Sequence, residues 1–298
     1  MSPGGNLNAG YHRPGVLRVF EPSPGVPRVP LVFDSPHSGT ERPPEFEPAA
    51  PWATVLMASD THVDQLFRAA PSVGAPLLAA LFPRSFLDLN RSLMDMDPEL
   101  LAEPWPHPLR NSAATRRGMG LMWRYAWGDT AMYARPLGVA EAEARIERYY
   151  QPYHELLGQL IDQCQQQFGA VWHVNCHSMP AVGHALSPDP PGTVRPDFVL
   201  GDLDGVSCEP GFVALVERTL QGFGYSVSRN VPFKGAELTS KFSDVSKSRN
   251  SLQIEINRRL YMNEDTRQTT DGFVGLQRHL SELVERMAAY ASERSMPR

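Results

Sequence analysis

The chain has 298 residues, enough to bury a large apolar core without disulfides or a structural metal. Its 42% hydrophobic and 20% charged content is that of a soluble globular protein, and a net charge of -5 offers no basic stripe, which argues against nucleic acid or an anionic membrane as partner. Three widely spaced cysteines, Cys164, Cys176 and Cys208, form no disulfide framework and fit a reducing cytoplasm, while no apolar run approaches the ~20 residues of a membrane span.

Residues 1 to about 28 are rich in Gly, Pro and Asn and read as a flexible arm or a lead-in edge strand, ahead of a single domain over 29–298. Val29 to Asp34 (VPLVFD) predicts a buried strand that exits into the turn Ser35-Pro36-His37-Ser38-Gly39. Asp60 to about Ala70 predicts an amphipathic helix with Asp60 as its N-cap and Asp64 one turn on. Gly74 to Leu81 and Ser85 to Leu89 predict two more strands, the second leading into Asn90-Arg91. Periodicity fades from Ser92 to Gly138, a length that suits a lid or a substrate-binding insertion.

Glu141 to Phe168 is the longest helical pattern, with Pro152 as its expected break. Val171 to Cys176 reads as a central strand delivering His177, followed by strands at 197–202, 225–228 and 251–256 and helices at 209–222 and 272–293. Strands alternating with helices favour a mostly parallel sheet covered on both faces.

In such a sheet the site lies outside the carboxyl ends of the strands, where His37, Asn90-Arg91 and His177 would converge. A catalytic zinc takes about three N or O ligands and keeps one position open, which His37, His177 and either Asp60 or Asp64 would satisfy. A histidine after a strand is commonly only a hydrogen-bonding loop residue, so it is the pair that carries weight. Side chains alternate along a strand, so Cys176 should point away from His177 and pack, and His173 should be structural. Glu255 stands between two isoleucines in SLQIEI. It is either an edge residue facing water, with Gln253, or a general base activating metal-bound water. Arg91 with Asn90 suits a substrate carboxylate, Asp88 suits a surface salt bridge, and Lys234 in VPFKGAELT offers a second anion contact.

FDSPHSGT (33–40), DTHVDQLF (60–67), GAPLLAALFPRSFLDLNR (74–91), NCHSM (175–179), DFVLGDLDG (197–205), VPFKGAELT (231–239) and LQIEINRRLYM (252–262) together resemble the N-formylglutamate amidohydrolase (deformylase) family. That family is similar to the zinc carboxypeptidases and to aspartoacylase. The resemblance implies a three-layer α/β/α fold with a central mixed, mostly parallel sheet, of the phosphorylase/hydrolase-like, zinc carboxypeptidase-like kind. It also implies zinc-dependent hydrolysis of N-formyl-L-glutamate to formate and glutamate, a step of histidine degradation. One Zn2+, or another divalent metal, would be held by His37 and His177. Glu255 would be the general base, Arg84 would stabilise the oxyanion, and Asn90 and Arg91 would bind the substrate carboxylates. The related enzymes carry an acidic ligand three residues after the first histidine. Here that position is Thr40, so Asp60 is the expected third ligand, with Asp64 second and Glu41 third. The alternatives are a deacylase for another N-acyl acidic amino acid and a non-catalytic binder of an acidic metabolite.

Overall fold

A computed structural model describes residues 11–295. The chain enters through two short strands, β1 (His12–Arg13) and β2 (Leu17–Phe20), and then forms β3 (Leu31–Ser35). Next come α1 (Trp52–Leu56), α2 (Val63–Leu66), a 3-10 turn and β4 (Leu77–Ala80). After the long irregular segment with α3 (Ala113–Arg116), α4 (Val139–Arg145) runs through a π turn (Ile146–Tyr150) into α5 (Gln151–Phe168). The remainder is β5 (Val171–Met179), β6 (Phe198–Gly201), α6 (Pro210–Gly222), β7 (Val227–Arg229), α7 (Glu237–Lys241), β8 (Arg249–Asn257) and α8 (Gly272–Arg294). The strands make one mixed sheet in the order β1-β2-β4-β3-β5-β8-β6-β7. The central β4, β3, β5 and β8 are parallel, and β6 runs antiparallel to β8. Among the described residues no helix is long and apolar enough to cross a membrane.

The central strands have unlike faces. On one face Leu31 and Phe33 of β3, Trp172, Val174 and Cys176 of β5, and Leu252, Ile254 and Ile256 of β8 pack into an apolar layer with α2, α6 and α8. The alternate residues, Asp34, His173, Asn175, His177, Ser251, Gln253 and Glu255, point to the other face, towards α5, α7 and the 92–138 segment. Period-two alternation thus sorts a polar row from an apolar one, and a one-residue slip of β8 against β5 would bury Leu252 and Ile254 in the polar row.

Three expected elements differ. No strand forms over 85–89. The chain turns instead, with the Phe86 amide donating to the Pro83 carbonyl at 3.0 Å, and the Asp88 amide donates to the Leu121 carbonyl of the 92–138 segment at 2.7 Å. The expected helix from Asp60 shrinks to one turn, Val63–Leu66, and Asp60 does not cap it. The Glu141–Phe168 helix forms, but Pro152 withholds the N–H that would bond one turn back. The turn before it widens to the π form over Ile146–Tyr150. Of the expected N-terminal arm, residues 12–20 contribute edge strands, and residues 1–10 lie outside the described residues. The 92–138 segment packs: Met96, Leu100, Leu121, Met122, Trp123 and Met132 are buried against the polar face's core.

A candidate metal centre at the carboxyl ends of the central strands

β5 and β8 pair in parallel with His177 opposite Glu255, Asn175 opposite Gln253 and His173 opposite Ser251. On β3, Asp34 lies opposite Asn175. Strand pairing alone therefore sets His177 and Glu255 side by side on the polar face. His37 arrives from the loop after β3. That loop passes so close to the exit of β4 that a Cβ on Gly39 would lie 2.2 Å from the Leu81 carbonyl carbon, which leaves glycine as the residue that fits. The Asp60 amide donates to the His37 carbonyl at 2.9 Å, so two segments distant in sequence are tied at their backbones.

The result is a buried group of three. Metal-ligating atoms of His37, Asp60 and His177 all lie within 4.8 Å of one another. Asp60 Oδ2 is 3.1 Å from His177 Nδ1 and 3.5 Å from His37 Nδ1, while the two imidazole rings sit 4.7 Å apart. Asp64 and Glu41 stand outside this group. Asp64 lies on the α2 turn, and Glu41 is exposed.

Each histidine is held from behind. His37 Nε2 lies 2.7 Å from Asp88 Oδ1, and His177 Nε2 lies 2.7 Å from Asn175 Oδ1. The Asp88 carboxylate on His37 Nε2 assigns the hydrogen there and leaves the His37 Nδ1 lone pair facing Asp60. His177 Nε2 meets both the Asn175 oxygen and, at 3.3 Å, the Asn90 amide nitrogen, so its Nδ1 is free to present either a hydrogen or a lone pair to Asp60. His37 Nδ1 is in fact buried with no hydrogen-bond partner. A lone pair aimed at a carboxylate with no proton between them is repelled. A cation at their common focus removes that repulsion, so the donor set fits a metal ion.

Electrostatics point the same way. Burial alone would raise the Asp60 carboxyl, but its contacts with His177 and His37 and the charge of Arg258 hold it well below the usual carboxylate range. Arg258 Nη2 donates to Asp60 Oδ1 at 2.9 Å. Burial pushes the His177 imidazole down to about 4, against the pull of Asp60, so it is neutral at pH 7 as a ligand must be. Glu255 moves the other way. Burial, reinforced by the negative charge of Asp60, lifts its carboxyl to about 8 despite Arg84, Arg195 and Arg258. Gln253 Nε2 donates to Glu255 Oε1 at 3.0 Å.

Glu255 is not on an edge. β8 lies between β5 and β6, and the carboxyl opens into a cavity of about 630 Å³ rather than to bulk water. Asp88, which the sequence suggested as a surface salt bridge, is fully buried. It accepts from Arg84 at 3.1 and 2.9 Å and from the Trp123 indole at 3.3 Å, as well as contacting His37. Arg84 thus lines the cavity with its guanidinium fixed across the Trp123 ring. Asn90 also lines it, but most of its amide is spent. Its Oδ1 accepts from the Leu238 amide at 2.9 Å and its Nδ2 donates to Gln253 at 3.2 Å. Arg91 is anchored to the carbonyls of Met119 and Asn90. Lys234 is exposed at the rim and pairs with Asp204 at 2.9 Å.

His173 and Cys176 behave as expected. Cys176 packs in the apolar layer, and His173 lies 2.9 Å from Asp34 Oδ1 and 2.8 Å from the Ser251 hydroxyl. Asp34 also accepts from Asn175 at 2.7 Å and from Tyr153 at 2.8 Å, so it anchors the residue that orients His177. Sequence reasoning missed Asp34, Asn175 and Arg258. The polar members of β3 and β5 were visible as an alternating row, but nothing local marked Arg258.

A mixed sheet carrying a buried His–Asp–His group beside a buried carboxylate defines a hydrolase-type α/β protein whose site can hold a metal ion. A family model for N-formylglutamate amidohydrolase matches residues 29–262, and the chain belongs to that family. It is 30% identical to N-formylglutamate deformylase of Pseudomonas putida over 279 residues, covering 90% of this chain and 95% of that one. The corresponding figures for N-formylglutamate deformylase of Pseudomonas aeruginosa are 29% identity, 90% and 96%. The crystal structure of N-formylglutamate amidohydrolase from Ralstonia eutropha JMP134 matches with a TM-score of 0.87 and 45% identity, over 94% of this chain and 99% of that one.

Proposed function

We propose that this protein is a zinc-dependent hydrolase of the formamide bond of N-formyl-L-glutamate, releasing formate and L-glutamate. The observation that carries the mechanism is the β5–β8 register, which sets the buried Glu255 beside His177 at the floor of an open cavity. His37 and His177, through Nδ1, and Asp60 would hold the ion. Bound there, zinc supplies an acidified water and polarises the formyl carbonyl. Glu255 takes the proton of the attacking water and returns it to the leaving nitrogen, so glutamate departs as a neutral amine rather than an amide anion. Arg84, locked by Asp88 and Trp123, presents positive charge to the developing oxyanion. Asn90 and Arg91 orient the substrate through its carboxylates.

Asp88 keeps His37 in the ligating tautomer. Asp88→Asn is therefore expected to weaken zinc affinity by roughly 10–100-fold, measured by competition with a chromogenic chelator. Unchanged affinity would remove Asp88 from that role. The function itself is tested by formate release from N-formyl-L-glutamate by the purified protein, with N-acetyl- and N-succinyl-L-glutamate as competitors. A clear preference for either competitor would move the protein to a different deacylase class.

A further inference from the structure

Six cationic side chains line the cavity, and four are already neutralised by carboxylates: Arg84 by Asp88, Arg110 by Asp95, Arg195 by Asp189 and Lys234 by Asp204. Arg91 and Arg117 are different. Arg91 donates only to the carbonyls of Met119 and Asn90, at 3.1 and 3.0 Å. Arg117 makes no side-chain hydrogen bond or ion pair among the described residues, and its Nε is sealed from solvent without a partner.

A guanidinium without an ion-pair partner is costly to bury. Burial and the neighbouring charges of Arg91 and Arg116 all lower the Arg117 pKa. Burial also lowers that of Arg91, where the charges of Arg84 and Arg110 oppose those of Asp88 and Asp95. The cavity's own anions are committed elsewhere. Asp95 is held by Arg110, Glu255 stands by the metal cluster, and Glu237 acts on Lys241 and Arg110. The unfilled requirement is an anion from outside.

Position narrows which anion. Asp60 and Glu255 act electrostatically on Arg84, which places it at the reacting end of the cavity. Asn90 reaches the cluster, its Nδ2 lying 3.3 Å from His177 Nε2, while the next residue, Arg91, extends to the Met119 carbonyl, two residues along from Arg117. Arg117 therefore belongs to the distal end. Every N-acyl amino acid has an α-carboxylate next to its amide, whereas only an acidic one carries a second carboxylate at the far end of its side chain.

We propose that Arg117, with Arg91, forms the clamp for the side-chain carboxylate of the substrate and makes the enzyme selective for acidic over neutral N-acyl amino acids. This deepens the N-formylglutamate reading and rests on it for the identity of the substrate. A charge-assisted bidentate contact in a partly desolvated site corresponds to about 10–100-fold in affinity.

The test is calorimetric titration of the zinc-loaded protein with glutarate and with butyrate, which share one carboxylate and differ in the second. Arg117→Met is expected to weaken glutarate binding by about 10–100-fold and to change butyrate binding by less than about threefold. In turnover, the kcat/KM ratio of N-formyl-L-glutamate to N-formyl-L-glutamine should collapse by a similar factor. Should Arg117→Met fold poorly by circular dichroism, Arg117→Gln is read in the same way. Equal loss for glutarate and butyrate, or full retention of glutarate affinity, overturns the clamp. Absence of formate release by the unsubstituted protein would instead overturn the proposed reaction, with the titrations still deciding whether Arg117 selects a dicarboxylate.

Discussion

Glu255→Gln is expected to lower kcat for formate release by about 10²–10⁴-fold while leaving substrate affinity nearly unchanged. The amide is almost isosteric with the acid, keeps a partner in Gln253 and cannot accept a proton. The same substitution should make the metal-free chain more stable. The folded carboxyl is raised from 4.5 to about 8, so between those values the native chain holds a proton that the unfolded chain has released. The stability this proton linkage provides is fully present below pH 4.5 and is lost as pH rises through about 8. Glutamine removes that dependence, and at pH 8 it should recover on the order of 4 kcal/mol in urea denaturation. Inactivity combined with higher stability separates the loss of a base from the loss of a fold. A variant that turns over normally, or one that is inactive because it is unfolded, would contradict the role given to Glu255. With zinc bound, the added positive charge favours the carboxylate. The acid limb of the unsubstituted enzyme's pH–rate profile should then fall below pH 8, and it should be absent from the residual activity of Glu255→Gln.

Removing the metal is expected to have an effect at least as large. Dialysis against a strong chelator should reduce formate release to background, and one equivalent of zinc should restore it. His177→Ala should do the same without recovery at that dose, because it leaves only His37 and Asp60 from the group. Full activity in a preparation shown by elemental analysis to be metal-free would end the zinc mechanism. The apo protein should remain folded. His37 and His177 line one wall of a sheet whose apolar layer, from Leu31 to Ile256, packs on the opposite face and makes no use of the cluster.

The path from sequence to site differs for each residue. His177 and Glu255 were legible because each interrupts a β-favouring run with a polar side chain, and the alternation rule predicts which neighbours share their face. Asp60 was legible as the first-choice third ligand, but also as the N-cap of a longer helix. Its carboxylate instead faces His177, His37 and Arg258. Asp88 reads in sequence as one charge of a surface salt-bridge cluster with Arg84 and Arg91. Without a ladder there, the backbone turns, and the side chain is buried against His37. Arg258 sits one turn past β8 and reaches Asp60 across about two hundred residues of sequence, a contact no local pattern could announce.

Composition, alternation and motif order by themselves determined that this is an α/β protein of this family, and they singled out two histidines and a strand carboxylate as its candidate chemical groups. These features follow from periods of two and 3.6 residues and from residue type, which are properties of short stretches. Only the tertiary structure decided that Asp60 rather than Asp64 or Glu41 joins the histidines, that Glu255 lies inside the sheet, and that Arg91 and Arg117 make no ion pair among the described residues. The reason is physical. Whether a polar group has a partner depends on what the fold brings within about 3 Å of it, and that is set by strand order, register and loop closure between distant segments.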